Sequence, residues 1–208
     1  MKKWLLGFYL FTQIGFCQTF SIIAHRGAPR YLPEHSLEGL VMSHSWGVDF
    51  WEPDLVLTKD DIPIVLHDLY LDTTTDITAR KEFANRKRQD GRWYAIDLTL
   101  AEIKTLRLHE RVKLHSNEQV YPKRFNHQIG NFKVPSFQEA VELLQELNRT
   151  TKRTVGIYPE IKHAEFHRKN KKDIVKIVYK QIKSLGYEQK PKQIFIQSFE
   201  PNTLIRIK

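Results

Sequence analysis

Four short apolar runs in this chain each stop on a cluster of acid, base or imidazole. They are "SIIAHR" (residues 21–26), "VDFWEPD" (48–54), "IVLHD" (64–68) and "GIYPEIK" (156–162). Runs this short read as buried strands. Helix-period segments lie between most of them. Short buried strands alternating with helices pack as a mostly parallel sheet with helices outside, so the fold class is α/β.

The helices carry their own boundary signals. "SLEGLVMSHSWG" has Ser36 as N-cap and Gly47 as stop. Thr99 with Glu102, and Ser136 with Glu139, each form a capping box before an apolar periodic run. A further helix is expected over 174–185, ending at Gly186, and another begins at "PNTLIRIK". "KDDIP" reads as a turn. The polar section 69–98 is too long for an ordinary connection, which leaves a functional insertion or partial disorder.

At 41% hydrophobic and 27% charged residues the chain is globular in composition. Its formal charge is +9. Basic residues gather in 80–92 and 162–172, between apolar segments, which reads as solvated loops; a surface for anionic headgroups or phosphates is the alternative. No nucleic-acid-binding motif accompanies the charge. The N-terminus has a signal-peptide layout over 1–17: Lys2 and Lys3, a short apolar stretch, then small residues suited to cleavage after Cys17. That stretch is too short to span a membrane, and no stable span is expected. A lipid anchor on Cys17 competes with cleavage, against the bulk of Phe16. With a single cysteine, an intramolecular disulfide is excluded.

Each strand end has an unremarkable reading: a hydrogen-bonded core histidine, a solvated acid, a turn, a surface ion pair. Together they form a set. His25 and Arg26, Glu52 and Asp54, His67 and Asp68, Glu160 and Lys162 stand at the ends of four runs. In a parallel barrel the C-terminal strand ends share the active face, and a spacing of two puts both side chains on one side of a strand. Three carboxylates suit a hard divalent cation, Ca²⁺ or Mg²⁺; there is no zinc spacing of Cys and His. Arg26 and Lys162 suit a phosphodiester's charge. Two imidazoles suit proton transfer near neutrality.

The segments "HRG...LPEHS", "WEPDLVLTKDDIPIVLHD" and "GIYPEIK" resemble the glycerophosphodiester phosphodiesterases. "TTDI", "DGRWYAIDLTLAEIKTL" and "GNFKVPSFQEAVELLQELN" resemble the insertion and following helices of the secreted bacterial branch. The resemblance covers residues 25–208 and implies a TIM-type (βα) barrel hydrolysing glycerophosphodiesters to glycerol 3-phosphate and an alcohol. It implies a periplasmic or secreted location. By matching positions, Glu52, Asp54 and Glu160 would hold the metal, usually Ca²⁺, and His25 and His67 would be the acid–base pair. Arg26 and Lys162 would contact phosphate, Gln197 and Phe199 would line the pocket, and Glu34 would support the site from behind. His35 stands where many members carry asparagine, so the function of that position is open.

A TIM barrel needs eight strands and typically about 250 residues. Five barrel strands are expected here, at 21–25, 48–54, 63–66, 155–161 and 193–198, with an insertion over about 69–134. The expectation is therefore the N-terminal portion of a barrel, truncated after about five of eight strands, with the 208-residue chain aggregation-prone and weakly active by itself. A non-catalytic fragment is the competing reading. A phospholipase C- or D-like enzyme on the same fold is a third, with little support from the sequence.

Overall fold

The structure is a computed structural model, and residues 20–207 are described. The signal-peptide and anchor readings at 1–17 lie outside the described residues. In chain order the elements are β1 (Ile23–His25), α1 (Leu37–Ser45), β2 (Phe50–Glu52), β3 (Asp54–Leu57), β4 (Pro63–Val65), α2 (Leu100–Thr105), α3 (Phe137–Thr151), β5 (Gly156–Ile157), β6 (Glu160–Ile161), α4 (Ala164–Lys169), α5 (Ile174–Ser184) and α6 (Pro201–Ile207), with single 3₁₀ turns in the connections.

β1, β2 and β5 pair in parallel in that order. Pro53 and Pro159 interrupt the next step, because proline has no amide to donate. The ladder resumes with β3 parallel to β6. Tyr158 donates to the Trp51 carbonyl at 2.8 Å and Glu160 to the Pro53 carbonyl at 2.8 Å, so the two broken strands stay side by side. The run expected at 193–198 appears as two isolated parallel bridges, Ile157 with Ile194 and Glu160 with Gln197. The result is an arc of parallel strands in sequence order with helices between them. Its outer edges are apolar and open: Ile22 and Ile23 are 59% and 43% exposed at one end, and Phe195 is 53% exposed at the other.

One expected barrel strand is corrected. The segment 63–66 is not a parallel barrel strand: β4 runs antiparallel to β3, with Val56 opposite Ile64. The reason is the length of "TKDDI". A parallel return needs a crossover of a dozen or more residues, whereas a short loop makes a hairpin. Thr58 braces this one, donating to Asp60 Oδ1 at 2.6 Å and accepting from the Ile62 amide at 3.0 Å.

The hairpin lies between two cores. Leu55, Leu57 and Val65 join the main core with Trp51, Phe137, Val141, Leu144 and Val178. Their neighbours Val56, Ile64 and Leu66 face a second core with Leu71, Ile77, Trp93, Leu98 and Leu106. Alternation of side chains along a strand divides the two sets, which explains why "DLVL" and "IVL" are apolar on both faces. The section 69–98 is thus ordered, packed around this second core together with the hairpin. Its arginines are paired with nearby acids: Arg80 with Asp76, Arg86 with Glu102 of α2, Arg88 with Asp97 and Arg92 with Asp72.

The helix signals are realised. Ser36 caps α1 through the Gly39 amide, and both capping boxes are complete at Thr99/Glu102 and Ser136/Glu139. No helix among the described residues is long and apolar enough to cross a membrane.

Candidate active site

β2 ends on Glu52, β3 begins on Asp54 and β6 begins on Glu160. Because these strands are neighbours, the three carboxylates converge, with one oxygen of each within 4.8 Å of the others. All three side chains are buried. Glu52 Oε2 accepts from the Arg26 amide at 3.1 Å, while its other oxygen and Asp54 Oδ1 have no hydrogen-bond partner among the described residues. Burial, then the charge of Asp54, pushes the Glu52 carboxyl up to about 8. Burial also favours neutral Asp54, but the hydrogen bond and charge of His35, with the charges of His67 and Lys162, hold it well below the usual carboxylate range. Clustered, dehydrated carboxylates with unpartnered oxygens fit a hard divalent cation by the chemistry of the donor set.

Cations surround the acids. Lys162 Nζ is 2.8 Å from Glu160 Oε1 and 3.7 Å from Asp54 Oδ1. Arg26 Nε is 3.2 Å from Asp54 Oδ2. His35 Nε2 donates to the same oxygen at 2.9 Å. The loop after β1 achieves this with unusual backbone: Arg26, Gly27 and His35 all have positive φ, at 58°, 83° and 65°. The His35 amide closes the loop on the Arg26 carbonyl at 3.1 Å. The left-handed region is costly for ordinary side chains, and residues held there cluster at functional sites.

His25 ends β1 in register with Glu52. Burial, then the Arg26 charge, pulls its imidazole below the usual histidine value. His67 follows β4, and its Nδ1 donates to Asp68 Oδ1 at 2.6 Å. Glu34 is 2% exposed, with Oε2 at 3.4 Å from Arg26 Nη1. Gln197 donates to Glu160 Oε2 at 2.9 Å, which places it on the acidic cluster. Phe199 is 83% exposed, its ring 5.6 Å from Lys162 Nζ.

Two participants carry no role in the sequence reading. His35 was an open position; its contact with Asp54 makes it part of the cluster. Arg111 gave no signal at all, yet it bridges Glu34, at 2.6 Å, and Asp68. Asp68 was visible beside His67; its second partner was not.

Comparison with known proteins places this architecture. A curated glycerophosphodiester phosphodiesterase of Haemophilus influenzae is 43% identical over 189 residues, which is 90% of this chain and 51% of that protein. A putative glycerophosphoryl diester phosphodiesterase from Silicibacter pomeroyi superposes with a TM-score of 0.67 at 21% identity, covering 90% of this chain and 60% of the other. A phosphodiesterase of Oleispira antarctica, solved with the product sn-glycerol-3-phosphate, superposes with a TM-score of 0.58 at 21% identity, covering 89% and 60%. This chain therefore spans about half the length of the curated relatives it matches. The model of the glycerophosphoryl diester phosphodiesterase family matches residues 25–208, and the chain belongs to that family.

Proposed function

We propose that the protein carrying this arc hydrolyses glycerophosphodiesters to glycerol 3-phosphate and an alcohol. The observation that carries the reading is the buried Glu52–Asp54–Glu160 cluster with Arg26 and Lys162 against it. The glycerol 3-phosphate bound by the Oleispira relative supports the product assignment. Since this chain spans about half the length of the curated relatives it matches, the activity is proposed for the whole protein.

Glu52, Asp54 and Glu160 would hold a divalent cation, for which we propose Ca²⁺, with Mg²⁺ as the competitor to test. When bound, it would supply positive charge for the phosphoryl oxygens. Arg26 and Lys162 add charge from the protein side and orient the diester. His67 presents Nε2, because its Nδ1 is committed to Asp68. His25, kept neutral by burial and by Arg26, accepts the proton of the attacking oxygen. His67, as the imidazolium whose Nδ1–H is held by Asp68, then gives its Nε2 proton to the departing alcohol and is left neutral. The N-terminal leader pattern supports a periplasmic or secreted location.

The test is release of glycerol 3-phosphate from glycerophosphocholine, with chelator and with Ca²⁺ or Mg²⁺ restored. Chelation should abolish turnover, and H25A and H67A should each lower it by roughly 10²–10⁴-fold without a change in circular dichroism. Full turnover in the chelated enzyme or in either variant would reject the mechanism. A preference for intact phospholipid would reassign the substrate.

A further inference from the structure

We infer that Arg111, supplied by the insertion, is a positioning residue: it clamps Glu34 and Asp68 together and, through Asp68, fixes which nitrogen of His67 faces the site. The inference rests on the acid–base reading of His67 above.

The contacts form one chain. Arg111 Nη2 donates to Glu34 Oε1 at 2.6 Å, and Nη1 donates to Asp68 Oδ2. Asp68 Oδ1 accepts from His67 Nδ1 at 2.6 Å. Thr73 also donates to Asp68 Oδ2, at 3.3 Å. Asp68 is therefore held at both oxygens by different partners, so it cannot rotate without losing one of them. At the other end, Glu34 faces Arg26, and Arg26 faces Asp54. The insertion thereby reaches both the imidazole and the phosphate-facing arginine.

Arginine suits this position and lysine does not. A planar guanidinium offers separate nitrogens to two carboxylates, whereas an ammonium is a point charge on a flexible stem. The backbone delivers the group firmly. The Val112 amide donates to the Thr73 carbonyl at 2.9 Å, the His109 amide to Thr74 at 2.8 Å, and the Arg111 carbonyl accepts from Val120 at 2.9 Å. Without the guanidinium, Glu34, now 2% exposed, would keep among the described residues the 3.4 Å contact to Arg26 alone. Asp68, 22% exposed in its side chain, would keep its Oδ2 only on the long 3.3 Å bond from Thr73, with water competing for it. A histidine whose Nδ1 partner is less firmly held has a weaker tautomer preference.

The experiment reads the His67 tautomer directly, by long-range ¹H–¹⁵N correlation at a pH where the imidazole is neutral, with H67A for assignment. The parent should show the single Nδ1–H form. R111M and D68N should show a mixture of tautomers, and R111K an intermediate one. In turnover, R111M should lower kcat by about 10–100-fold, the usual range for partners behind a site, with KM within about twofold. An unchanged tautomer in R111M overturns the inference, as does a loss confined to KM, which would make Arg111 a substrate contact. If R111M does not melt cooperatively, R111K and D68N decide by the same readout. Parental turnover in H67A would instead reject the acid–base reading, while the tautomer still judges the clamp.

Discussion

The Leu66 amide donates to the Asp54 carbonyl at 3.0 Å, and this bond sets His67 beside the acidic cluster. Asp54 opens β3, and His67 comes just after β4 ends. Antiparallel pairing puts the start of one strand next to the end of its partner. His67 thus reaches the site by a hairpin return and not as the tip of a parallel strand. The same return presents Asp68 to Arg111.

Glu52 should be required for cation binding. E52Q keeps the shape but removes one of the three carboxyl groups that can ionise toward a cation, and binding strength follows ligand charge. We expect Ca²⁺ affinity to fall at least about tenfold in isothermal titration. Parental affinity in E52Q would remove Glu52 from the ligand set.

Gly27 should not accept a side chain. Its φ is +83°, and a Cβ there would lie 3.1 Å from the Gly39 carbonyl carbon and 3.2 Å from its oxygen. The neighbour is helix backbone and cannot step aside. G27A should cost on the order of 2 kcal/mol, combining the left-handed penalty with the close contact, and lower Tm by roughly 4–8 °C. An unchanged melt would show that the loop relaxes freely.

His167 should make the fold acid-sensitive. It is fully buried in α4, and neither ring nitrogen has a hydrogen-bond partner among the described residues. Burial, then the charges of His163 and Lys172, lowers its imidazole to about 4. In the unfolded chain it titrates near 6.5. Between those values the unfolded state binds more protons, so stability rises with pH there. The contribution is complete above about pH 6.5 and is lost as pH falls toward 4. Urea titrations of the parent and H167L should diverge across that window, by on the order of 2–3 kcal/mol. Parallel pH profiles would count against a buried neutral His167.

Much of this molecule was legible locally. Ser36, Thr99/Glu102 and Ser136/Glu139 mark helix starts because capping is chemistry between residues three apart. The apolar runs announced strands, and the polar groups at their ends announced a site. Glu52 and Asp54 could be placed on one face by the two-residue period alone. What no local pattern carried was pairing. The antiparallel return of β4 depended on how the turn at 58–62 closes, and that turn sent His67 to Asp54's level. Glu34 and Arg111 are 77 positions apart, and Arg111 and Asp68 are 43 apart. Ion pairs at such separations form only where the fold brings two elements together, so the sequence named the acids, bases and imidazoles. Only the tertiary structure decided which of them touch, because contact at that range is set by topology and burial rather than by neighbours along the chain.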